Sequence, residues 1–364
     1  MKAKGGFNEK SAPYILLIPL LFTLIIFFGY AFVRSFYFSF TNYNMFNTPE
    51  LVGFSNYIGM FNDSKFFYAV RNTIYFAFIV TACQTFGSLL LAVIMNQKIK
   101  GMRFFRAVYY LPSITSSVVI TLIFMWFFQK RGIINFLSTV AEKYILTIVA
   151  FIVLSVVCHL FLNYLKNKKK IEIKVNVIFL SVLVSLIIVF VLVSFRLLPI
   201  YDVLLKDTVW LNTRATFPAF LGKWGIPRPL LSIMILNIWT TIPTMSLIYL
   251  AGLQGVSPSL YEAARIDGAN KVQQFFKITI PSLSNITFLV VTMGLIGTFQ
   301  MFDQVAIIGS SAPLESTITL AYYVYNSSFP GSGISEIGKA AAAANILAIL
   351  TLIVVTIQHK LSKT

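Results

Sequence analysis

The sequence predicts an all-α fold, a polytopic membrane helix bundle with eight transmembrane helices, and three observations carry that prediction. Hydrophobic residues make up 57% of the 364 and charged residues only 11%, whereas a soluble domain carries about 25% charge. Mean hydropathy is +0.81. Eight uncharged runs approach the roughly 20 residues that cross a hydrocarbon core of about 30 Å as a helix. Such a bundle hides no shared core from water, so the length does not by itself divide the chain into two domains.

The first run, Pro13 to Val33, follows Lys2, Lys4 and Lys10. It is too long for the apolar region of a cleaved signal and is expected to be the first span. The second, Asn72 to Met95, ends at the basic segment NQKIKGMRFFR, and the third, Ala107 to Gln129, ends at Lys130 and Arg131. The fourth and fifth, Tyr144 to Leu165 and Val175 to Phe195, flank the basic turn KNKKKIEIK. Both are rich in Leu and β-branched residues and poor in paired polar positions, as lipid-facing helices are. The sixth, seventh and eighth are Leu230 to Gln254, Ser282 to Phe302 and Ala340 to Gln358.

An even number of spans puts both termini on one side. With residues 1–12 and 359–364 cytoplasmic, the inner segments hold 17 of the 29 Lys and Arg, the asymmetry expected of cytoplasmic loops. The net charge of +17 is dispersed in short clusters between apolar runs, so it reads as topology and not as a nucleic-acid surface. Cys83 and Cys158 both fall inside apolar runs and read as small core hydrophobes. His159 has no second His or carboxylate at helical spacing to complete a metal site.

The inner segment 255–281 is long for a turn and carries helical signals of its own. Ser257-Pro258 offers an N-cap and a first-turn proline, and Ser259 with Glu262 fits a capping box. Leu260, Ala263, Ala264 and Ile266 form a short apolar stripe. Gly268 permits the left-handed residue that ends a helix. A second short helix from Asn270 to Phe276 is expected next, with Pro281 opening the next span.

The spacing Glu262-Ala263-Ala264, Gly268, Ile278-x-Ile280-Pro281 resembles the EAA loop of binding-protein-dependent ABC importer permeases. Only Ile280 departs from the usual Ile-x-Leu-Pro ending. Further stretches, LNIWTTIPTMSLIYLAGLQGV, TFQMFDQVAII, YNSSF and GKAAAAANIL, are similar to the carbohydrate branch of those permeases, that of the maltose and glycerol-phosphate importers, and NQKIKGMRFFRAVYYLP matches the segment before the third core span. The likeness covers 13–135 and 208–358; residues 136–207 stand as an inserted two-span hairpin in a six-span type I core. The resemblance implies that Glu262, Ala263, Ala264, Asp267, Gly268, Ile278 and Pro281 couple to an ATPase. It also implies a heterodimer with a second homologous permease, two ATP-binding subunits that hold ATP and Mg, an extracytoplasmic solute-binding protein, and residence in a bacterial cell membrane.

No Gly-x4-Gly-Lys-Ser/Thr occurs, so this chain binds no nucleotide by that device and ATP hydrolysis is expected from partner subunits. No Ser/His/Asp array or metal-ligand set is evident, and a non-catalytic subunit without a cofactor of its own is expected. An integral-membrane glycan enzyme would want ionisable residues converging from outer loops. An ion-coupled transporter would want intramembrane carboxylates as a relay, and Asp303 alone qualifies. A sugar pathway instead needs neutral hydrogen-bonding groups and aromatic faces. The sixth span places Asn237, Thr241 and Thr244 on one face, with Trp239 and Thr240 adjoining. The seventh brings Gln300 and Asp303, with Thr298 and Met301 nearby. The same polar groups could instead hold helices together. The resemblance to maltose permeases, whose pocket uses these two core spans, favours a pathway for a sugar or oligosaccharide. Glycerol phosphate, a polyol or another small polar solute is the alternative.

Overall fold

A computed structural model describes residues 12–97, 101–168, 177–195, 197–198 and 207–362. Lys2, Lys4, Lys10 and most of the KNKKKIEIK turn, on which the predicted topology leans, lie outside the described residues. The chain divides into two compact units, one formed by residues up to Leu122 with those from Asn212 onward, the other by Ile123–Leu211.

In the first unit α1 (Pro13–Phe38) is apolar on every side and has no buried residue. A π turn at Leu24–Gly29 interrupts it. A short helix α2 (Ser55–Phe61) leads to α3 (Ser64–Met95), the longest of the bundle. Asp63 caps α3 by accepting the Lys65 N–H at 2.9 Å. Phe76, Ala77, Val80, Thr81, Gln84, Ser88, Leu91 and Met95 recur at helical spacing and are buried, which makes α3 the central post.

The predicted third span is not one straight helix. Its α4 (Met102–Ile114) and α5 (Ser117–Phe127) meet at an angle of 96°. Pro112 removes a backbone donor, and the hydroxyls of Ser113 and Thr115 bond back to the carbonyls of Tyr110 and Leu111 at 2.9 and 2.7 Å. Such local bonds compete with the helical ladder. Among the described residues, seven helices are long and apolar enough to cross a membrane, and this bent pair supplies an eighth if counted as one crossing.

After a two-residue hairpin of β1 (Thr216–Phe217) and β2 (Ile226–Pro227) comes α9 (Arg228–Gly255). α9 packs along α3, and Gly87 lets it approach: a Cβ there would lie 2.6 Å from Ile242 Cδ1. The polar segment follows as α10 (Pro258–Ile266), α11 (Lys271–Gln274) and, after a π turn at Phe275–Thr279, α12 (Ile280–Ser282). The bundle is completed by α13 (Ser284–Phe299), three short helices α14 (Asp303–Ile308), α15 (Leu314–Thr317) and α16 (Leu320–Ser328), and α17 (Ile337–Leu361).

Two buried clusters fix the ends of this unit. At one end Met60, Phe66, Ile318, Leu320, Tyr323, Ala342 and Ala343 pack together. Beside them Asp63 accepts the Tyr323 hydroxyl at 2.8 Å and the Lys339 ammonium at 3.1 Å. Partial burial works against the Asp63 carboxylate, yet the bonds from Tyr323, the Lys65 N–H and Lys339 outweigh it and hold its pKa below the ordinary 3.8. Burial and the bond to Asp63 push the Tyr323 hydroxyl upward. At the other end Leu91, Met95, Tyr249, Leu250, Leu253, Leu283 and Val290 join α3, α9 and α13. Gly252 is needed here, because a Cβ would sit 2.2 Å from Ile286 Cδ1.

The second unit holds α6 (Ile133–Lys143), α7 (Ile145–Lys168) and α8 (Val177–Ser194). α7 and α8 pair through the Ser155 and Ser185 hydroxyls at 2.7 Å and expose Leu, Ile, Val and Phe on their outer faces. Buried Asn135 ties the unit's ends: it donates to the Lys130 and Thr208 carbonyls, both at 2.8 Å, and accepts the Trp210 indole N–H at 2.9 Å.

Candidate functional site

Two sites emerge, a structured polar loop and a polar cavity, both on α9. The loop is a helix, a sharp turn and a helix. Ser257 stands at the N-cap of α10 but makes no side-chain capping bond, and the expected box between Ser259 and Glu262 does not form. Pro258 starts the helix two residues earlier than that box requires, and Ser259 instead meets the Ser257 hydroxyl at 2.7 Å. The capping box lies in the second helix, between Asn270 and Gln273. The α-helical part of that helix is shorter than the expected Asn270 to Phe276, because the helix widens into a π turn at Phe275–Thr279 and runs on into α12.

Gly268 ends α10 at φ +79°. The Ala269 N–H reaches the Ala264 carbonyl at 2.8 Å and the Gly268 N–H the Arg265 carbonyl at 3.1 Å, the two bonds of a Schellman turn. The Tyr261 hydroxyl meets the buried Thr279 hydroxyl at 3.0 Å, locking α10 against the π turn. The expected apolar stripe is not packed inward: Ile266 is 87% exposed and Leu260 48%. Glu262, Ala263, Asp267, Gly268 and Pro281 are exposed as well, while Ala264 and Ile278 are half-buried. No cation among the described residues pairs with Glu262 or Asp267. The loop thus holds its shape through internal bonds and presents an exposed surface on which Glu262 and Asp267 stand beside Arg265, Lys271 and Lys277 without pairing to them.

The second site is a cavity of about 330 Å³ lined by Asn237, Thr240, Thr241, Thr244, Asp303 and Gln304, with Ser113, Thr115 and Ser117 from the break between α4 and α5 and the apolar Pro112, Ile120, Leu236 and Met245 between them. Thr241 donates to buried Gln84 on α3 at 2.9 Å, and Asn237 reaches Gln304 Oε1 only at 3.4 Å. Ser117 donates to one oxygen of Asp303. Five of the nine expected pathway residues therefore share one chamber.

The other four do not. Trp239 lines a separate small recess with Phe105, Tyr109 and Pro243. Gln300 faces a larger, mostly apolar groove beside Phe302 and Tyr325. Thr298 is buried against Thr81, its hydroxyl 3.3 Å away, and Met301 is buried with its carbonyl accepting from Thr319 at 2.7 Å. Those two hold helices together. Sequence reasoning missed Ser113, Thr115, Ser117, Gln304 and Gln84. The hydroxyl-rich run PSITSS was the available signal, because it interrupts an otherwise apolar span. Among the described residues no group of three or more His, Cys, Asp or Glu is placed to hold a metal ion.

Residues 173–364, more than half of the chain, match the family of binding-protein-dependent transport system inner membrane components. The chain belongs to this family. It is therefore a multi-span subunit of a transport system, and its relatives agree. It is 27% identical to the probable ABC transporter permease protein YurN of Bacillus subtilis (strain 168), covering 98% of each chain. It is equally 27% identical to the arabinooligosaccharides transport system permease protein AraP of the same organism, over 98% of this chain and 90% of that one. The sn-glycerol-3-phosphate transport system permease protein UgpA of Escherichia coli O6:K15:H31 (strain 536 / UPEC) is 23% identical over 97% and 95%. In fold, the chain resembles a bacterial ABC transporter involved in the import of the acidic polysaccharide alginate, with a TM-score of 0.65 and 18% identity, covering 98% of this chain and 96% of that one.

Proposed function

We propose that this permease is one transmembrane half of an ATP-driven importer that takes a sugar or oligosaccharide from an extracytoplasmic binding protein and releases it into the cytoplasm. The observation that carries the reading is that α9 holds the polar cavity and, at its end, the exposed loop. Thr244 and Gly255 are eleven residues apart, about 16 Å along a helix, on the stretch of α9 that follows Pro243, so a push on the loop reaches the edge of the cavity through one helical segment. Glu262, Ala263, Ala264, Asp267, Gly268, Ile278 and Pro281 form the contact for an ATPase subunit: small residues for close approach, a carboxylate for a basic partner. Two such ATPases supply the ATP and Mg chemistry, and a second homologous permease completes the pathway as a heterodimer. The cavity lining of amide and hydroxyl groups suits sugar hydroxyls, and AraP supports an oligosaccharide.

In this reading 13–135 and 208–358 are the core and 136–207 a peripheral hairpin in a bacterial cell membrane, with both termini cytoplasmic. Cysteine introduced as Lys169→Cys should label only from the cytoplasm; labelling by an impermeant reagent from outside would overturn the topology. For the function, the full complex in proteoliposomes should hydrolyse ATP faster with loaded binding protein and accumulate a glycan. Accumulation of glycerol phosphate, a polyol or an amino acid in place of every glycan tested would refute it.

A further inference from the structure

We infer that the cavity selects an uncharged glycan and turns away acidic ones such as uronates, with Asp303 as the residue that decides; the inference rests on the sugar-import reading above. Among the described residues lining the cavity, Asp303 is ionisable and every other one is neutral; no Lys or Arg is present. One Asp303 oxygen accepts the Ser117 hydroxyl, which leaves the other free to accept from a guest. The chamber lies along the middle third of α9, roughly 14 to 24 Å from its start at Arg228, and Asp303 stays exposed to it.

A neutral sugar meets matched partners there. Its hydroxyls donate to Asp303 and to the Thr240 and Thr241 oxygens, whose own hydrogens are held by α9 carbonyls and Gln84, and accept from Asn237 and Thr244. The Asn237–Gln304 contact at 3.4 Å is long enough to be exchanged for a guest at little cost. A uronate brings a second carboxylate beside the first with no cation between them, so it loses hydration and gains repulsion together. Selectivity then comes from the unfavourable element as much as from the attractive ones. This separates the chain by charge from two proteins it resembles, one named for an acidic polysaccharide and one for glycerol 3-phosphate.

The test uses the complete complex with its binding protein, given a transported neutral oligosaccharide and the same oligosaccharide oxidised at C6 to the uronate, at equal binding-protein occupancy. The wild type should carry the neutral form at least about tenfold faster, the least expected of a like charge a few ångströms away in a partly wetted cavity. Asp303→Asn should bring the two rates within about threefold, because the repulsion is removed, and Asp303→Glu should restore the preference. Thr244→Lys supplies a cation from a second position and should raise uronate uptake relative to neutral uptake, so the inference does not hang on one variant. Equal wild-type rates for the two sugars, or a ratio unmoved by both Asp303→Asn and Thr244→Lys, would overturn it while leaving sugar import standing. Uptake of glycerol phosphate and of no glycan would overturn both.

Discussion

Replacing Gly268 by Trp separates docking from folding. Gly268 sits at φ +79°, and a Cβ built there meets no atom within 4 Å. An L-residue in that left-handed region costs roughly 1–2 kcal/mol, and its Cβ adds no clash within this chain. Gly53 makes a matched control at φ +60°, likewise with nothing within 4 Å, on the other side of the membrane in the proposed topology. Gly268→Trp and Gly53→Trp should therefore insert alike and melt within a few degrees of each other. If α10 seats in a cleft of the ATPase, only Gly268→Trp should lose ATPase co-purification and substrate-stimulated turnover, because the indole fills volume the partner needs. Gly268→Ala should carry the strain alone and keep most of the coupling. Glu262→Ala should weaken assembly by about 1.5–3 kcal/mol, the worth of one charge-assisted hydrogen bond. Binding-protein docking should persist in all of them. Normal coupled turnover in the Gly268→Trp complex would show that 255–281 is only a connector.

What the sequence revealed follows from the range of the interactions involved. Spans were legible because lipid imposes a composition on every residue of a helix that crosses it. The turn at Gly268 was legible because a left-handed residue is a local demand. The bend between α4 and α5 was not, since Pro112 and the Ser113 and Thr115 hydroxyls weaken the ladder locally while the direction taken by α5 depends on its neighbours. Neither π turn had a signature in composition. In the cavity, Asn237, Thr240, Thr241 and Thr244 were found because helical periodicity puts them near one another on one element. Gln84 and Gln304 reach the same place from elsewhere in the chain, Gln84 some 157 residues before its partner Thr241, and no periodicity links them. Thr298 and Met301 are the opposite case: they were named because they adjoin Gln300 and Asp303 in sequence, and packing against α3 and Thr319 buries them away from the cavity.

The remaining predictions concern packing and electrostatics. Gly252→Val should lower the melting temperature of the purified permease, because its Cβ would meet Ile286 Cδ1 at 2.2 Å and Leu283 Cδ2 at 3.0 Å and overpacking costs about 1–3 kcal/mol. Adding Ile286→Ala should recover much of the loss, and an unchanged melt of the single variant would refute the close approach of α9 and α13. Asn135→Ala removes three hydrogen bonds in the second unit; it should speed proteolysis within 123–211 by at least a few-fold, and an unchanged cleavage rate would refute its role in tying Lys130 to Thr208. Asp63→Asn tests the charged cluster with Tyr323 and Lys339. Asp63 titrates below its ordinary 3.8 when folded, so its stabilisation is complete above that ordinary value and drains away as pH falls through the lower folded one. The variant should be less stable than the wild type at neutral pH by roughly 1–3 kcal/mol, the cost of losing a charged acceptor. Below the ordinary 3.8 the gap should begin to narrow, and it should close as pH falls through the lower folded value, where the folded wild-type carboxyl takes up its proton as well. Melting curves from pH 7 down to pH 3 check both halves; a gap that stays constant or widens in acid would mean that Asp63 contributes through shape and not through charge.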